Sequence, residues 1–310
     1  MSGVYISDIS WDLGEIKSIS ECPAENLSED AVNFFNLMGF DKYCVSHDGL
    51  SRLIVNSVTK TIQKSGIGLD DVDLVIVASS SYNQTKNFDI SIAESMTELG
   101  IDNIPVMGVT LAQCGNFASA LRIAKGLLLE DEVKNILLIT GDVAASEGER
   151  FQNLAFNSDG VASCIISSKP IGMYKLIAFE QVADLKARDL INSETNELSE
   201  DSVKRVQAGL GKLREKMQAA HGNIIDDCHQ LITNNYSISA LRFISEKLNV
   251  PSDRIFKSNT EKYGHVYCSD GLINLETYSS ENDSTNGKVA ILSSGRGIWS
   301  LMIVDVDTGK

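Results

Sequence analysis

Leu69-Asp70-Asp71-Val72-Asp73-Leu74-Val75-Ile76-Val77-Ala78-Ser79 and Ile225-Asp226-Asp227-Cys228-His229-Gln230-Leu231-Ile232-Thr233-Asn234-Asn235 share one layout. In each, an amphipathic helix and a glycine precede an acidic turn that runs into an apolar strand. The first follows a helix over 50–64, with Leu53, Ile54, Val58 and Ile62 on one face, and the break Gly66-Ile67-Gly68. The second follows a helix over 199–220, striped by Val203, Val206, Leu210, Leu213 and Met217. The two segments start 156 residues apart, and the chain has 310. A second pair, Ile136-Leu137-Leu138-Ile139-Thr140-Gly141 and Ala290-Ile291-Leu292-Ser293-Ser294-Gly295, repeats at 154. One such match of short strands arises by chance. Two at nearly one offset, half the chain, indicate an internal duplication. Two halves, 1–168 and 169–310, would then stack about a pseudo-twofold axis, and a site where they meet can draw residues from both.

Working outward, helices and strands alternate. Val72–Ala78 is nearly continuously apolar, which suits a strand covered on both faces. Strands are predicted over 104–109, 135–140, 160–167, 289–293 and 298–304. Helices are predicted over 117–129 and 237–248. This order indicates an α/β fold with mainly parallel pairing.

Composition narrows the function. With 27 Lys and Arg against 42 Asp and Glu, the net charge is −15, which excludes nucleic-acid binding through bulk charge. No run of about 18 apolar residues is present, so no membrane span is expected. The start Met-Ser-Gly-Val-Tyr-Ile has no basic segment followed by an apolar one, and a cytoplasmic protein is expected. Cys22, Cys44, Cys114, Cys164, Cys228 and Cys268 form no C-x-x-C pair, which argues against zinc and against a disulfide framework. His47, His221, His229 and His265 show no ligand spacing. The glycines form neither a dinucleotide fingerprint nor a P-loop, so no metal and no nucleotide cofactor is expected.

Cys114 stands in Leu111-Ala112-Gln113-Cys114-Gly115-Asn116-Phe117-Ala118, after a predicted strand and at the start of a predicted helix. The positive end of a helix dipole favours a thiolate there. Gly115 and Ala118 leave room for a substrate. From these residues alone a nucleophile and a buried structural thiol both stand open. Cys268, 154 residues later, reads as a core thiol echoing the duplication.

The Cys-Gly-Asn-Phe element at 114–117, Thr140-Gly141-Asp142, Asn157-Ser158-Asp159-Gly160 and the turn Gly295-Arg296-Gly297-Ile298-Trp299 resemble, in order and spacing, the ketoacyl-acyl-carrier-protein synthase III group of the thiolase-like superfamily. The resemblance spans nearly the whole chain. It implies a thiolase-like five-layered αβαβα fold of two duplicated halves, and Cys114 as the nucleophile that takes an acyl group from acyl-CoA or an acyl carrier protein. It also implies an oxyanion hole made by the Cys114 backbone N–H with Gly295 or Gly297, and a homodimer. The other positions depart from the family. Its His, in an H-Q-A-N turn, aligns with Asn234; His229 falls one strand length too early. Its Asn, in a G-N turn, aligns with His265, for which a hydrogen-bonded loop histidine is the ordinary reading. Asn234 can donate a hydrogen bond but cannot act as a base, whereas His265 can act as donor or general base.

The resemblance therefore implies an acyltransferase that passes the acyl group from Cys114 to a second, acceptor substrate. The departures point to specialised metabolite biosynthesis. Two alternatives stand beside it: a decarboxylating β-ketoacyl synthase with Asn234 and His265 in exchanged roles, and a non-catalytic partner subunit of a heteromeric synthase. Pocket-lining residues would lie on loops such as 82–90 and 187–200. Lys204, Arg205, Lys212, Arg214 and Lys216 place five cations within 13 residues of an acidic chain. That helix is either a solvated face or a docking surface for an acidic carrier.

Overall fold

The structure, a computed structural model, describes residues 3–23, 27–82, 87–152, 155–170, 172–188, 199–282, 286–295 and 297–307. Within the two loops expected to line a pocket, residues 83–86 and 189–198 lie outside the described residues, as does Arg296 of the glycine turn. The strands are β1 (Val4–Leu13), β2 (Glu15–Ser18), β3 (Lys42–Val45), β4 (Leu74–Ala78), β5 (Val106–Val109), β6 (Asn135–Asp142), β7 (Phe151–Gln152), β8 (Ala155–Phe156), β9 (Gly160–Ser167), β10 (Tyr174–Ala183), β11 (Gln230–Ile232), β12 (Gly287–Gly295) and β13 (Ile298–Val306). The helices are α1 (Glu29–Leu37), α2 (Gly49–Ser65), α3 (Phe88–Leu99), α4 (Asn116–Leu127), α5 (Glu200–His221), α6 (Ile238–Leu248), α7 (Ser258–Tyr263) and α8 (Asp270–Glu281).

Nine strands are hydrogen-bonded in the order β11-β12-β13-β10-β1-β9-β6-β4-β5. The order reads alike from the β1–β10 seam in either direction: first strand, last strand, then the earlier ones of each half. The junction read between 168 and 169 falls in the connection from β9 to β10. Pairing is mixed rather than mainly parallel. Only β4–β5, β4–β6 and β11–β12 run parallel. The seam and the returns β6–β9 and β12–β13 are antiparallel. The alternation of helices and strands hides these returns, because β9 and β13 follow their neighbours without a crossover helix.

Helices cover both faces, giving five layers. In β6, Ile136 and Leu138 face the central helices, and Leu137 and Ile139 face α2 and α3. In β12, Val289 and Ile291 face the centre, and Ala290 and Leu292 face α5 and α6. The middle layer is α4 and α8. Phe117, Ala118, Ala120, Leu121 and Ala124 of α4 are fully buried, as are Leu272 and Leu275 of α8. Both helices pack in one core with the inward faces of β6 and β12, that is with Ile136, Leu138, Val289 and Ile291. A Cβ at Gly271 would lie 2.9 Å from the Phe117 ring, so this glycine lets α8 close on α4. Truncating a residue as buried as Leu121 would cost about 2–5 kcal/mol. No helix among the described residues is long and apolar enough to cross a membrane.

Candidate active site

Cys114 lies in a 3₁₀ turn, Gln113–Gly115, that leads directly into α4. Asn116 shapes this turn from inside. Its side-chain oxygen accepts from Ala112 N–H at 2.9 Å, and its amide donates to the Ser79 and Thr110 carbonyls at 2.8 and 2.9 Å. The sharp bend puts Gln113 at φ +48°, a left-handed conformation that a non-glycine residue rarely holds. Cys114 alone of the six cysteines is not buried.

His265 comes from the other half. Its Nε2 lies 3.1 Å from Cys114 Sγ, and its Nδ1 lies 2.5 Å from Asp270 Oδ2. Asp270 opens α8 and is wholly buried. Its Oδ2 also accepts from Asn235 N–H at 2.7 Å, and its Oδ1 from Val266 N–H at 2.8 Å, so the carboxylate is fixed on both sides. Burial works to lower the pKa of the His265 imidazole. The charges of Asp270 and Cys114, with hydrogen bonds to both, outweigh it and raise the value to about 10. Geometrically a thiol, an imidazole and a carboxylate stand in line, an arrangement that can serve as nucleophile, base and orienting group. The sequence reading missed Asp270. In Ser269-Asp270-Gly271-Leu272 the acid reads as an ordinary first-turn residue facing the helix dipole. Its only signal is that it is an acid at a helix start five residues after His265.

Asn234, two residues beyond β11, also reaches Cys114. Its amide donates to the carbonyls of Cys114 (3.3 Å) and Tyr267 (3.1 Å), and its oxygen accepts from Ser294 N–H (3.1 Å). It ties the nucleophile turn to the His265 loop and to β12. Gly295 sits against the same turn: a Cβ there would lie 1.8 Å from the Ala112 carbonyl oxygen, and its N–H nitrogen is 3.2 Å from where Gly115 would carry a Cβ. Gly297 is elsewhere. At φ +74° it packs on Asp184, which donates its N–H to the Gly297 carbonyl at 2.8 Å. The structure thus brings Cys114, His265, Asn234 and Gly295 together and sets Gly297 apart. His229 precedes β11 and donates its N–H to the Lys288 carbonyl, away from this cluster.

The motif residues 157–160 hold the His265 backbone. Ser158 N–H donates to the His265 carbonyl and His265 N–H to the Phe156 carbonyl, each at 2.8 Å. Behind them, buried Arg150 grips Asp159 through two bonds of 3.0 Å. Removing one member of so buried a pair costs about 3–5 kcal/mol. Cys268 is fully buried, and its thiol donates to Asp142 Oδ2 at 3.2 Å, as befits a core residue. Burial pushes the Asp142 carboxyl up, against the hydrogen bonds of Ser81, Cys268, Ser79 and Ser80.

The cations of α5 are largely engaged with the protein's own acids. Lys204 pairs with Glu200 at 2.6 Å, Arg205 with Asp201 at 2.7 Å and Asp184 at 3.2 Å, Arg214 with Asp226 at 3.5 Å, and Lys216 with Glu180 at 2.9 Å. Among the described residues only Lys212 of the five lacks an ion pair. The cluster that looks basic in sequence is therefore largely neutralised, by Glu200 and Asp201 four residues upstream and by Asp184, Asp226 and Glu180 brought up by the fold. Among the described residues, no group of three or more His, Cys, Asp or Glu could hold a metal ion.

No family model matches the sequence. The chain is 26% identical over 263 residues to the β-ketoacyl-[acyl-carrier-protein] synthase III of Rickettsia rickettsii (strain Sheila Smith), covering 80% of this chain and 81% of that one. Among solved structures, the acyltransferase ChlB3 matches with a TM-score of 0.84 at 16% identity, covering 98% of both chains. The 3-oxoacyl-[acyl-carrier-protein] synthase III of Aquifex aeolicus VF5 matches with a TM-score of 0.80 at 15% identity, covering 98% of this chain and 100% of that one.

Proposed function

We propose, from the premise that this chain is a ketoacyl-acyl-carrier-protein synthase III-like enzyme of thiolase fold, that it is an acyltransferase working through an acyl-enzyme on Cys114. The observation that carries this reading is the line Cys114–His265–Asp270, with gaps of 3.1 and 2.5 Å. His265 carries the proton as an imidazolium held by Asp270, paired through Nε2 with a Cys114 thiolate, and this thiolate attacks the carbonyl of an acyl-CoA or acyl-carrier thioester. The negative oxygen is held by the N–H groups of Cys114 and Gly295, donors whose individual loss typically lowers rate about 10²–10³-fold. Collapse expels the donor thiolate, which takes the proton from His265. In the second step His265, now neutral, removes a proton from an acceptor hydroxyl or amine. The acceptor attacks the thioester, and Cys114 leaves as a thiolate beside the reprotonated His265.

Asp270 favours this reading over decarboxylating condensation. A carboxylate on Nδ1 suits an imidazole that must gain and lose a proton. The Asn234 amide, with both its hydrogen bonds on backbone carbonyls, offers little to a malonyl thioester. The α5 cations give no strong support to a carrier docked there, since their charges are met by Glu200, Asp201, Asp184, Asp226 and Glu180. A homodimer across β5 accompanies the proposal. β5 is an edge strand, with Val106 and Met107 exposed and Leu111 90% exposed just beyond it. An apolar edge of this kind is ordinarily covered.

Intact-mass spectrometry after incubation with acyl-CoA donors tests the reading. An acyl adduct on the wild type that is absent from Cys114→Ala is expected. No adduct with any donor, or an adduct that survives Cys114→Ala, overturns it. Carbon dioxide release with chain extension from a malonyl carrier would instead establish the condensing enzyme.

A further inference from the structure

The imidazole of His265 is set by two separate devices. Asp270 holds the ring, and the backbone around it is held chiefly from the first half of the chain. The Tyr263 carbonyl accepts from the Ser158 hydroxyl. The Gly264 carbonyl accepts from the Asn235 amide at 2.8 Å. His265 N–H donates to the Phe156 carbonyl, and the His265 carbonyl accepts from Ser158 N–H, each at 2.8 Å. Gly264, at φ +66°, lets the loop press on this support: a Cβ there would lie 2.7 Å from the Phe156 carbonyl oxygen and 2.8 Å from Ser158 Oγ.

Ser158 is thus engaged twice, through its side chain at residue 263 and through its backbone at residue 265. Its own place is fixed in turn. It is fully buried, its oxygen accepts from Cys44 N–H of β3 at 3.0 Å, and Asp159 beside it is gripped by Arg150. This support belongs to the same half as Cys114. Asp270 lies five residues from His265 and travels with it. Its bond to Nδ1 therefore orients the ring without fixing the 3.1 Å between Nε2 and Cys114 Sγ. That distance depends on where the first half seats the loop.

We infer that Ser158 is a positioning residue for the Cys114–His265 pair: its hydroxyl, by holding the Tyr263 carbonyl, seats the imidazole against the sulfur. Ser158 acts through the backbone and not on the reacting atoms. The inference deepens the acyl-enzyme reading above, which needs that pair to be formed. A displacement of about 1 Å at a reacting pair can cost about 10²-fold in rate.

The test follows Cys114 alkylation by iodoacetamide from pH 7 to 9, read by peptide mass, in wild type, Ser158→Ala, Ser158→Gly and Ser163→Ala. Ser163 is the control: it is equally buried, in β9, and its hydroxyl bonds to Ser57 and Thr61 of α2. A paired thiolate gives wild type and Ser163→Ala a level profile. In Ser158→Ala and Ser158→Gly the rate should climb with pH, as for an unassisted cysteine of pKa near about 8.5, and be about tenfold lower at pH 7. A purely structural hydroxyl would lower the urea midpoint and leave the profile level. A folded Ser158→Ala or Ser158→Gly with the wild-type profile overturns the inference, as does a Ser163→Ala that shifts like them. So does a wild type whose own rate climbs, whatever the folding of the variants. The acyl-enzyme reading fails separately: a level wild-type profile with no adduct from any acyl-CoA removes that reading and leaves the seating of the imidazole intact.

Discussion

Asp270 Oδ2 lies 2.5 Å from His265 Nδ1, and the two residues are joined by a single 3₁₀ turn that leads into α8. Five residues of chain suffice to deliver both imidazole and carboxylate, while the thiol beside them comes from a turn 151 residues earlier.

Asp270→Asn should keep the hydrogen-bonded shape and lose the charge that raises the His265 pKa. A drop in Cys114 acylation of about 10²–10⁴-fold is expected, on the scale of comparable triads. The wild-type rate should stay level from pH 7 to 9 and fall above about 10, where the imidazolium loses its proton. In Asp270→Asn the fall should move to lower pH. Stability follows the same sign. The folded-state pKa lies above the unfolded value near about 6.5, so this contribution is whole below that pH and lost as pH rises through about 10. Urea midpoints at pH 7 and 10.5 should therefore differ more for wild type than for Asp270→Asn. An equal loss in both would remove Asp270 as the source.

Near neutral pH, limiting iodoacetamide should label Cys114 before the other thiols. Burial pushes Cys44 and Cys228 up to about 12, and Cys164 and Cys268 up as well. Peptide mass mapping reads the result. Labelling of Cys268 at a comparable rate would contradict its placement in the core.

Asn234→Ala strands three backbone groups: the Ser294 N–H and the carbonyls of Cys114 and Tyr267. A loss of about 2–4 kcal/mol is expected in urea unfolding, given about 1–3 kcal/mol for a buried polar group left unpaired. Acylation should fall too, because the turn and the His265 loop lose their common tie. A variant with wild-type stability would show that water replaces the amide.

Light scattering should give twice the chain mass for the wild type. Met107→Lys combined with Leu111→Asp should shift it toward the single chain, because charges on an apolar edge oppose pairing. A wild type that is monomeric at micromolar concentration would remove the proposed dimer.

Several of these features were legible in the sequence. Offsets of 156 and 154 residues, in a chain of 310, carried the duplication, and the position of Cys114 at a helix start made it a candidate nucleophile. The helices predicted over 50–64, 199–220 and 237–248 agree with α2, α5 and α6 to within a residue or two at either end. What escaped reading lies where periodicity is weak. β1 and β10, the two seam strands, carry polar residues such as Ser7, Ser10 and Gln181, and β1 is interrupted by a bulge at Asp8. α8 is buried on nearly every side, so its sequence shows no apolar stripe, and Asp270 went unseen with it. The partners of the α5 cations were hidden because Asp184, Asp226 and Glu180 join them only through the fold.

The strand order about the β1–β10 seam has a consequence for biosynthesis. Cys114 leaves the ribosome well before His265, Asp270 and the β12 strand that ends at Gly295. During that interval the thiol has neither imidazole nor carboxylate beside it, and its reactivity is that of an unassisted cysteine. The thiol, imidazole and carboxylate meet only when the two halves close on each other, so their alignment belongs to the complete fold and to neither half alone.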